Sequence, residues 1–413
     1  MAAEAPGTLT SDPRRWRMLL LLSAATLFSL TAWFSTNAVA PALEAEKGFS
    51  TGDIAWLTIG VQLGFVLGTM IISATNLADL INTRTLFAIS AILAGVANAA
   101  LVLMPGGLAE ATVLRVLTGI SLGGVYPPGI KIISGWFHSG RGIAIGVMIA
   151  ALTLGSGSPH LLRSVFLAHW EITLLASSTL AVAAGAIVYF LVRDGPYDVP
   201  AARFNPSYIV DILKKRATRL VLIGYLGHMW ELYAMWTWLP PFLAVVYGTK
   251  NGGGNAMDQA SLVAFLVFVA GAIGSVAAGY LAERWGRTLV TSGAMVLSGG
   301  TALYIGFLPL SWGWVITVVA LFWGGTVIAD SAQFSTAMTE LTEEAYRGTA
   351  LTFQTGMGFL LTIVTIRFVP ILADSVGWGL AFAVLGIGPM VGAAAMLRLR
   401  RLPEARVLAR GRR

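Results

Sequence analysis

His228 and Glu231 stand three residues apart in the middle of an apolar run, with Tyr225, Trp230, Tyr233, Trp236 and Trp238 around them. Residues three apart share one face of a helix. An apolar enclosure disfavours the charged form of a carboxylate, so an enclosed acid can take up and release a proton near neutrality. An imidazole beside it can share that proton. Glu231 is the first candidate for a proton carrier, with His228 as its partner; the alternative is a structural pair that locks the helix. Asp330, with Gln333 beyond it, is the second acidic candidate. It is expected either to carry a proton or to pair with Lys131 or Arg141 at an inner gate. Arg115 lies deep in another apolar run, where a cation costs about 3 kcal/mol or more unless it is paired or wet. It is expected to face a cavity and to bind an anion or a carboxylate there. Trp33 and Asn37 in the first apolar run, with Trp230, Tyr233 and Gln333, complete the expected solute site. His160, Arg163 and Arg367 lie near helix ends and read as packing or snorkelling groups. No metal site is expected, since nothing else near the His–Glu pair supplies ligands.

The elements that must hold these residues are membrane helices. Of 413 residues, 56% are hydrophobic and only 11% are charged, where soluble domains carry about 25% charged residues. The mean hydropathy is +0.76. Apolar runs of the length that crosses a bilayer as a helix recur near 17–40, 54–75, 85–104, 109–134, 142–162, 170–192, 219–243, 260–282, 288–308, 312–336, 349–371 and 378–398. Twelve spans put both termini on one side. Lys and Arg cluster at the termini and in the even-numbered connections, including seven arginines from Arg398 to Arg413, so both termini are expected in the cytoplasm of an inner-membrane protein. The formal net charge of +7 is explained by those loops and does not suggest nucleic-acid binding. The chain has no cysteine, which excludes disulfides, thiol catalysis and zinc–thiolate sites. The first run is too long for a signal-peptide core and is expected to stay as a helix.

The longest polar connection, 193–218, divides the spans six and six, giving expected bundles at 1–192 and 219–413. The halves repeat. Leu77-Ala78-Asp79 and Thr83-Arg84-Thr85-Leu86 after the second span match Leu281-Ala282-Glu283 and Gly286-Arg287-Thr288-Leu289 after the eighth. Arg141-Gly142-Ile143-Ala144 matches Arg347-Gly348-Thr349-Ala350. Such a parallel repeat is one architecture of secondary transporters. In the duplicated frame Trp33 aligns with Tyr233, Asn37 with Thr237, and Asp330 with Gly124.

With these motifs the chain resembles the major facilitator superfamily over essentially its whole length. The family's loop motif is clearest at Gly279, Glu283, Arg284, Gly286 and Arg287; the first copy keeps only Asp79 and Arg84. A family motif on span 4 reads Arg115, Gly119, Gly123, Gly124 and Pro127, and Gly146 and Gly155 give partial agreement with the antiporter motif of span 5. The resemblance implies an all-α fold of two pseudo-symmetric six-helix bundles. It also implies a gate on the cytoplasmic side in which Asp79, Arg84, Arg141, Glu283, Arg284 and Arg287 latch the halves. The nitrate carriers of the family bear arginines on spans 2 and 8 that this chain lacks, which disfavours nitrate.

No P-loop is present, so an ion gradient, most simply of protons, is the expected energy source. No cofactor is called for. The expected cargo is a small organic solute, an anion by the excess of basic residues, moved by a monomer in contact with lipid and protons. The alternatives are efflux of amphipathic or cationic compounds, a lipid flippase, or a membrane enzyme. The last would need a nucleophile, base and metal at one depth, so no enzymatic activity is expected.

Overall fold

The computed structural model describes residues 12–103, 107–137, 141–166, 169–197, 205–251, 256–343 and 346–412. Two expected gate residues, Asp79 and Arg141, have side chains outside the described set. The described residues form helices and turns without a strand, as lipid demands of a chain whose backbone must satisfy itself.

Nine helical stretches among the described residues are long and apolar enough to cross a bilayer. The last, Arg347–Arg400, holds two spans, because Gly377 interrupts it at φ 85°, a left-handed conformation that only glycine adopts freely. Span 1 falls outside those nine because it is broken into Arg14–Leu30, Ser35–Ala38 and Ala40–Lys47. Span 7, Arg216–Asn251, is diluted by polar residues. Counting these, the twelve expected spans are present. Spans 2, 3, 5 and 6 are Thr51–Thr75, Thr83–Leu103, Arg141–Phe166 and Trp170–Leu191. Span 4 is Leu108–Gly123 followed by Tyr126–Ser134. Spans 8 and 9 are Ala256–Trp285 and Arg287–Ile305, and span 10 is Gly313–Val327 followed by Ser331–Leu341.

Packing repeats with an offset of six spans. Span 2 lies on 4 as 8 lies on 10, span 3 on 6 as 9 on 12, and span 1 on 5 and 6 as 7 on 11 and 12. The halves meet where span 5 crosses span 8 and where span 11 crosses span 2. Spans 4 and 10 break at equivalent points, around Gly124 and Asp330.

Spans 2 and 4 touch backbone to backbone. A Cβ added at Gly119 would overlap the Val61 carbonyl, and one added at Gly64 would overlap that of Val116. Small residues at such crossings are what permits the approach. Gly119→Val is therefore expected to cost more than the ~1–3 kcal/mol of ordinary overpacking, because backbone and not a side chain must give way. Gly146→Ala, with nothing within 4 Å of the added atom, is the tolerated comparison. Melting of the detergent-purified variants checks both.

Candidate functional site

The centre of the molecule, between the halves, is filled by aromatic rings. Trp33 lies 5.8 Å from Tyr233 and 5.7 Å from Phe359. Phe34 lies 6.0 Å from both Trp236 and Phe268, and Phe65 lies 4.9 Å from Phe359. These separations are those of favourable ring pairs. Trp33 and Tyr233, equivalent in the repeat, thus meet across the interface. Asn37 is buried nearby on span 1, its Oδ1 accepting from Thr58 at 3.0 Å. Gln62 of span 2 accepts from Thr362 of span 11, which ties the two halves together. Ser73 and Thr352 approach to 3.4 Å toward one face of the same crossing.

Several buried polar atoms on spans 1, 2 and 11 are left unmatched. Trp33 Nε1, Gln62 Nε2 and both amide atoms of Gln354 find no hydrogen-bond partner among the described residues. Buried groups in this condition cost about 1–3 kcal/mol each, and a polar solute or water entering between the halves would satisfy them. Sequence reasoning missed Gln62 and Gln354. Their signal was present: each is an uncharged amide in an apolar run, a residue type seldom buried without work to do.

The two acids sit inside the second half. Glu231 is 1% exposed. It accepts from Trp323 Nε1 at 2.7 Å and from Ser298 Oγ at 2.9 Å, so spans 9 and 10 close over it. His228, expected to share its proton, instead approaches Asp330, with Nδ1 2.8 Å from Oδ1 and off the line of a well-aligned hydrogen bond. Asp330 occupies the turn where span 10 breaks. Span 7 therefore holds one acid directly and a second through its histidine, one turn apart. Neither carboxylate forms an ion pair with a Lys or Arg among the described residues. Both carboxylates are buried, Glu231 against two neutral donors and Asp330 beside the imidazole of His228.

Span 7 joins this site to the interface. Tyr233 and Trp236, which lie on Trp33 and Phe34, follow Glu231 within two turns of the same helix. Two expected site residues point elsewhere. Trp230 donates to the carbonyl of Val384 at 3.0 Å and so packs on the last span. Gln333 accepts from Arg287 at 3.0 Å, within the loop network rather than the aromatic centre.

Arg115 is fully buried and bridges three spans. Its Nη1 donates to Ala32 O at 2.9 Å, Asn98 Oδ1 at 3.0 Å and Ser35 Oγ at 3.3 Å. Its Nη2 donates to the carbonyl of Trp33. Span 1 is broken at 31–34, where Thr31, Ala32 and Trp33 donate three residues back instead of four. That leaves carbonyls without the usual helical donors, and the guanidinium supplies them. Arg115 was expected to face the solute; in the structure its guanidinium holds the break that aims Trp33 and Phe34. Arg163 reaches the carbonyl of Ala38 at 3.3 Å. His160 is buried against Phe268 with neither ring nitrogen partnered.

The loop charges whose side chains are described pair within each half. Arg84 meets Asp194 at 2.9 Å and the carbonyl of Val192 at 3.0 Å, joining the 2–3 loop to the end of span 6. Arg287 meets Glu340 at 2.7 Å and Glu283 at 3.0 Å, joining the 8–9 loop to the end of span 10. Arg284 lies over Tyr280 at 4.2 Å. The tail packs on the same network, with Ala409 N 3.2 Å from Glu340 Oε2 and Arg412 bonded to the carbonyl of Glu283. A latch between the halves was expected of these loops; the pairs seen here organise each half internally. The bond from Asn205 N to Thr349 Oγ1, 2.9 Å, ties the connecting segment to span 11.

The chain is similar to known carriers over nearly its whole length. It is 24% identical to the hexuronate transporter of Escherichia coli K12, covering 92% of each chain. It is 22% identical to the gallate transporter of Pseudomonas putida, covering 94% of each. Its fold matches that of a bacterial homologue of the human lysosomal transporter Spinster, solved inward-facing and unoccupied. That match has a TM-score of 0.69 at 16% identity and covers 95% of this chain and 98% of the other. The family profile of the Major Facilitator Superfamily matches residues 22–338 and 254–413. With its repeated packing and paired helix breaks, this protein belongs to the Major Facilitator Superfamily and is a multi-pass membrane transporter.

Proposed function

We propose that this transporter moves a small organic anion, coupled to protons, by alternating rotation of residues 1–192 against 219–413. It does so in the inner membrane, as a monomer with both termini in the cytoplasm. The observation that carries the proposal is on span 7. Its Glu231 is enclosed by two neutral donors and no cation, while its Tyr233 and Trp236 form the aromatic closure between the halves. Loading or releasing the proton changes how span 7 packs on spans 9 and 10, and the same helix carries the closure. Broken helices near mid-membrane are where transporters of this kind hold solutes and ions. The unmatched donors Trp33 Nε1, Gln62 Nε2 and Gln354 Nε2 supply neutral hydrogen bonds suited to an anion. The relatives named for hexuronate and gallate point to carboxylates.

An aromatic-walled site also suits amphipathic cations, which makes the charge of the cargo the point to test. Proteoliposomes containing the purified protein, screened by counterflow with uronates, aromatic acids, neutral sugars and lipophilic cations, are expected to exchange carboxylates. Exchange of cations without carboxylates would refute the anion reading and favour efflux.

A further inference from the structure

Three arginines on the face that carries the termini have no acid to match them. Arg216 opens span 7, and Arg398 and Arg401 end span 12. With Ala394, Leu397 and Leu402 they line a cavity of about 470 Å³ between the two helices. All three are exposed, and no acid pairs with them among the described residues. Arg400, between them in sequence, turns the other way and donates to Thr288 Oγ1 at 3.2 Å.

The cavity continues an apolar stripe. Along span 12 the exposed residues Ile387, Val391, Ala394, Arg398 and Arg401 follow at helical spacing, so they lie on one face. That face changes from apolar to cationic within two turns. Span 7 shows the same change, from exposed Ile223 to Arg219 and Arg216. Arginine forks match phosphate oxygens in pairs, and basic pockets between membrane helices suit anionic headgroups. A zwitterionic phospholipid cancels its own phosphate charge, so a three-cation site selects a net negative one. A free phosphate has the charge but nothing to lay along Ala394 and Val391.

We infer that the groove between spans 7 and 12 binds an anionic phospholipid, its phosphate held by Arg216, Arg398 and Arg401 and an acyl chain running along Ala394 and Val391. The lipid ties the start of span 7, the helix of Glu231, to the end of span 12. The site requires only that the helices cross a bilayer and is independent of the solute carried.

The test is a lipid titration of the full-length protein in detergent, read by native mass spectrometry. The probes are phosphatidylglycerol, phosphatidylcholine and inorganic phosphate. Phosphatidylglycerol is expected to bind in preference to phosphatidylcholine, with no displacement by inorganic phosphate. The triple variant Arg216→Gln, Arg398→Gln, Arg401→Gln is expected to weaken it on the order of a hundredfold, at roughly fivefold per cation. Ala394→Trp fills the cleft without altering charge and is expected to weaken it as well; this arm stands even where the triple variant does not purify. The control triple Arg17→Gln, Arg193→Gln, Arg406→Gln removes equal charge elsewhere and is expected to bind as the parent does. Equal loss in both triples, unchanged binding by Ala394→Trp, equal binding of phosphatidylcholine, or displacement by phosphate would each overturn the site.

Discussion

Replacing Glu231 by glutamine is expected to reduce gradient-driven solute accumulation to the level of empty liposomes while leaving the protein folded. The amide keeps the volume of the acid; its oxygen can still accept from Trp323, while its NH2 can donate to the Ser298 hydroxyl, which turns from donor to acceptor. It cannot ionise, so the step that carries charge between states is lost. Solute exchange without net proton movement is expected to survive, because the aromatic centre and its amides are untouched. Glu231→Ala is expected to behave differently. It strands the indole N–H of Trp323 at about 1–3 kcal/mol, leaves Ser298 only its bond to the Met295 carbonyl, and opens a cavity, so both melting temperature and transport fall. A glutamine variant that still accumulates solute against its gradient would remove Glu231 from the coupling step. A glutamine variant that fails to fold would make it structural.

Replacing Arg115 by methionine is expected to be among the most destabilising single changes in the first half. The side chain serves the carbonyls of Ala32 and Trp33, the amide oxygen of Asn98 and the hydroxyl of Ser35. Loss of the fork leaves several buried acceptors unmatched, again about 1–3 kcal/mol each, and frees the break in span 1. Arg115→Lys retains the charge but not the planar fork, so it is expected to recover only part of the stability. Melting curves in detergent read the structural task. Apparent KM for solute, measured on Arg115→Lys protein that remains folded, reads the binding task. An unchanged melting temperature in Arg115→Met would contradict the clamp.

Much of the architecture was legible because lipid imposes a coarse code. Apolar runs near twenty residues, a polar connection at 193–218 and paired motifs around Arg84 and Arg287 are enough to expect two bundles of six. The breaks within spans 1, 4 and 10 were harder. Gly123-Gly124 and Pro127 hint at the one in span 4, but nothing in Thr31–Phe34 announces a break except the deep cation that must be paired somewhere. Arg115 was recognised as anomalous, and its partners were not, because the donors it would satisfy appear only when another helix gives up its own.

The acids show a different limit. Helical spacing places His228 and Glu231 on one side of span 7, but it cannot say which neighbouring helix meets each of them. Packing gives Glu231 to Ser298 and Trp323, and His228 to Asp330. Trp230 fails to reach the centre because a residue one position along a helix turns about 100° away, and Gln333 because Arg287 draws it into the loop network. Trp33 and Tyr233 were found because the repeat relates them, and symmetry-related helices line the same axis.

Proton movement driven by solute alone is the most direct measure of the central claim. Proteoliposomes are loaded with a pH-sensitive dye in weak buffer, with no imposed pH gradient, and a carboxylate counterflow substrate is added outside. The predicted result is a lumenal pH change that follows solute flux in the parent and is absent in Glu231→Gln, whose exchange persists. Solute flux in the parent with no accompanying pH change would contradict proton coupling through span 7.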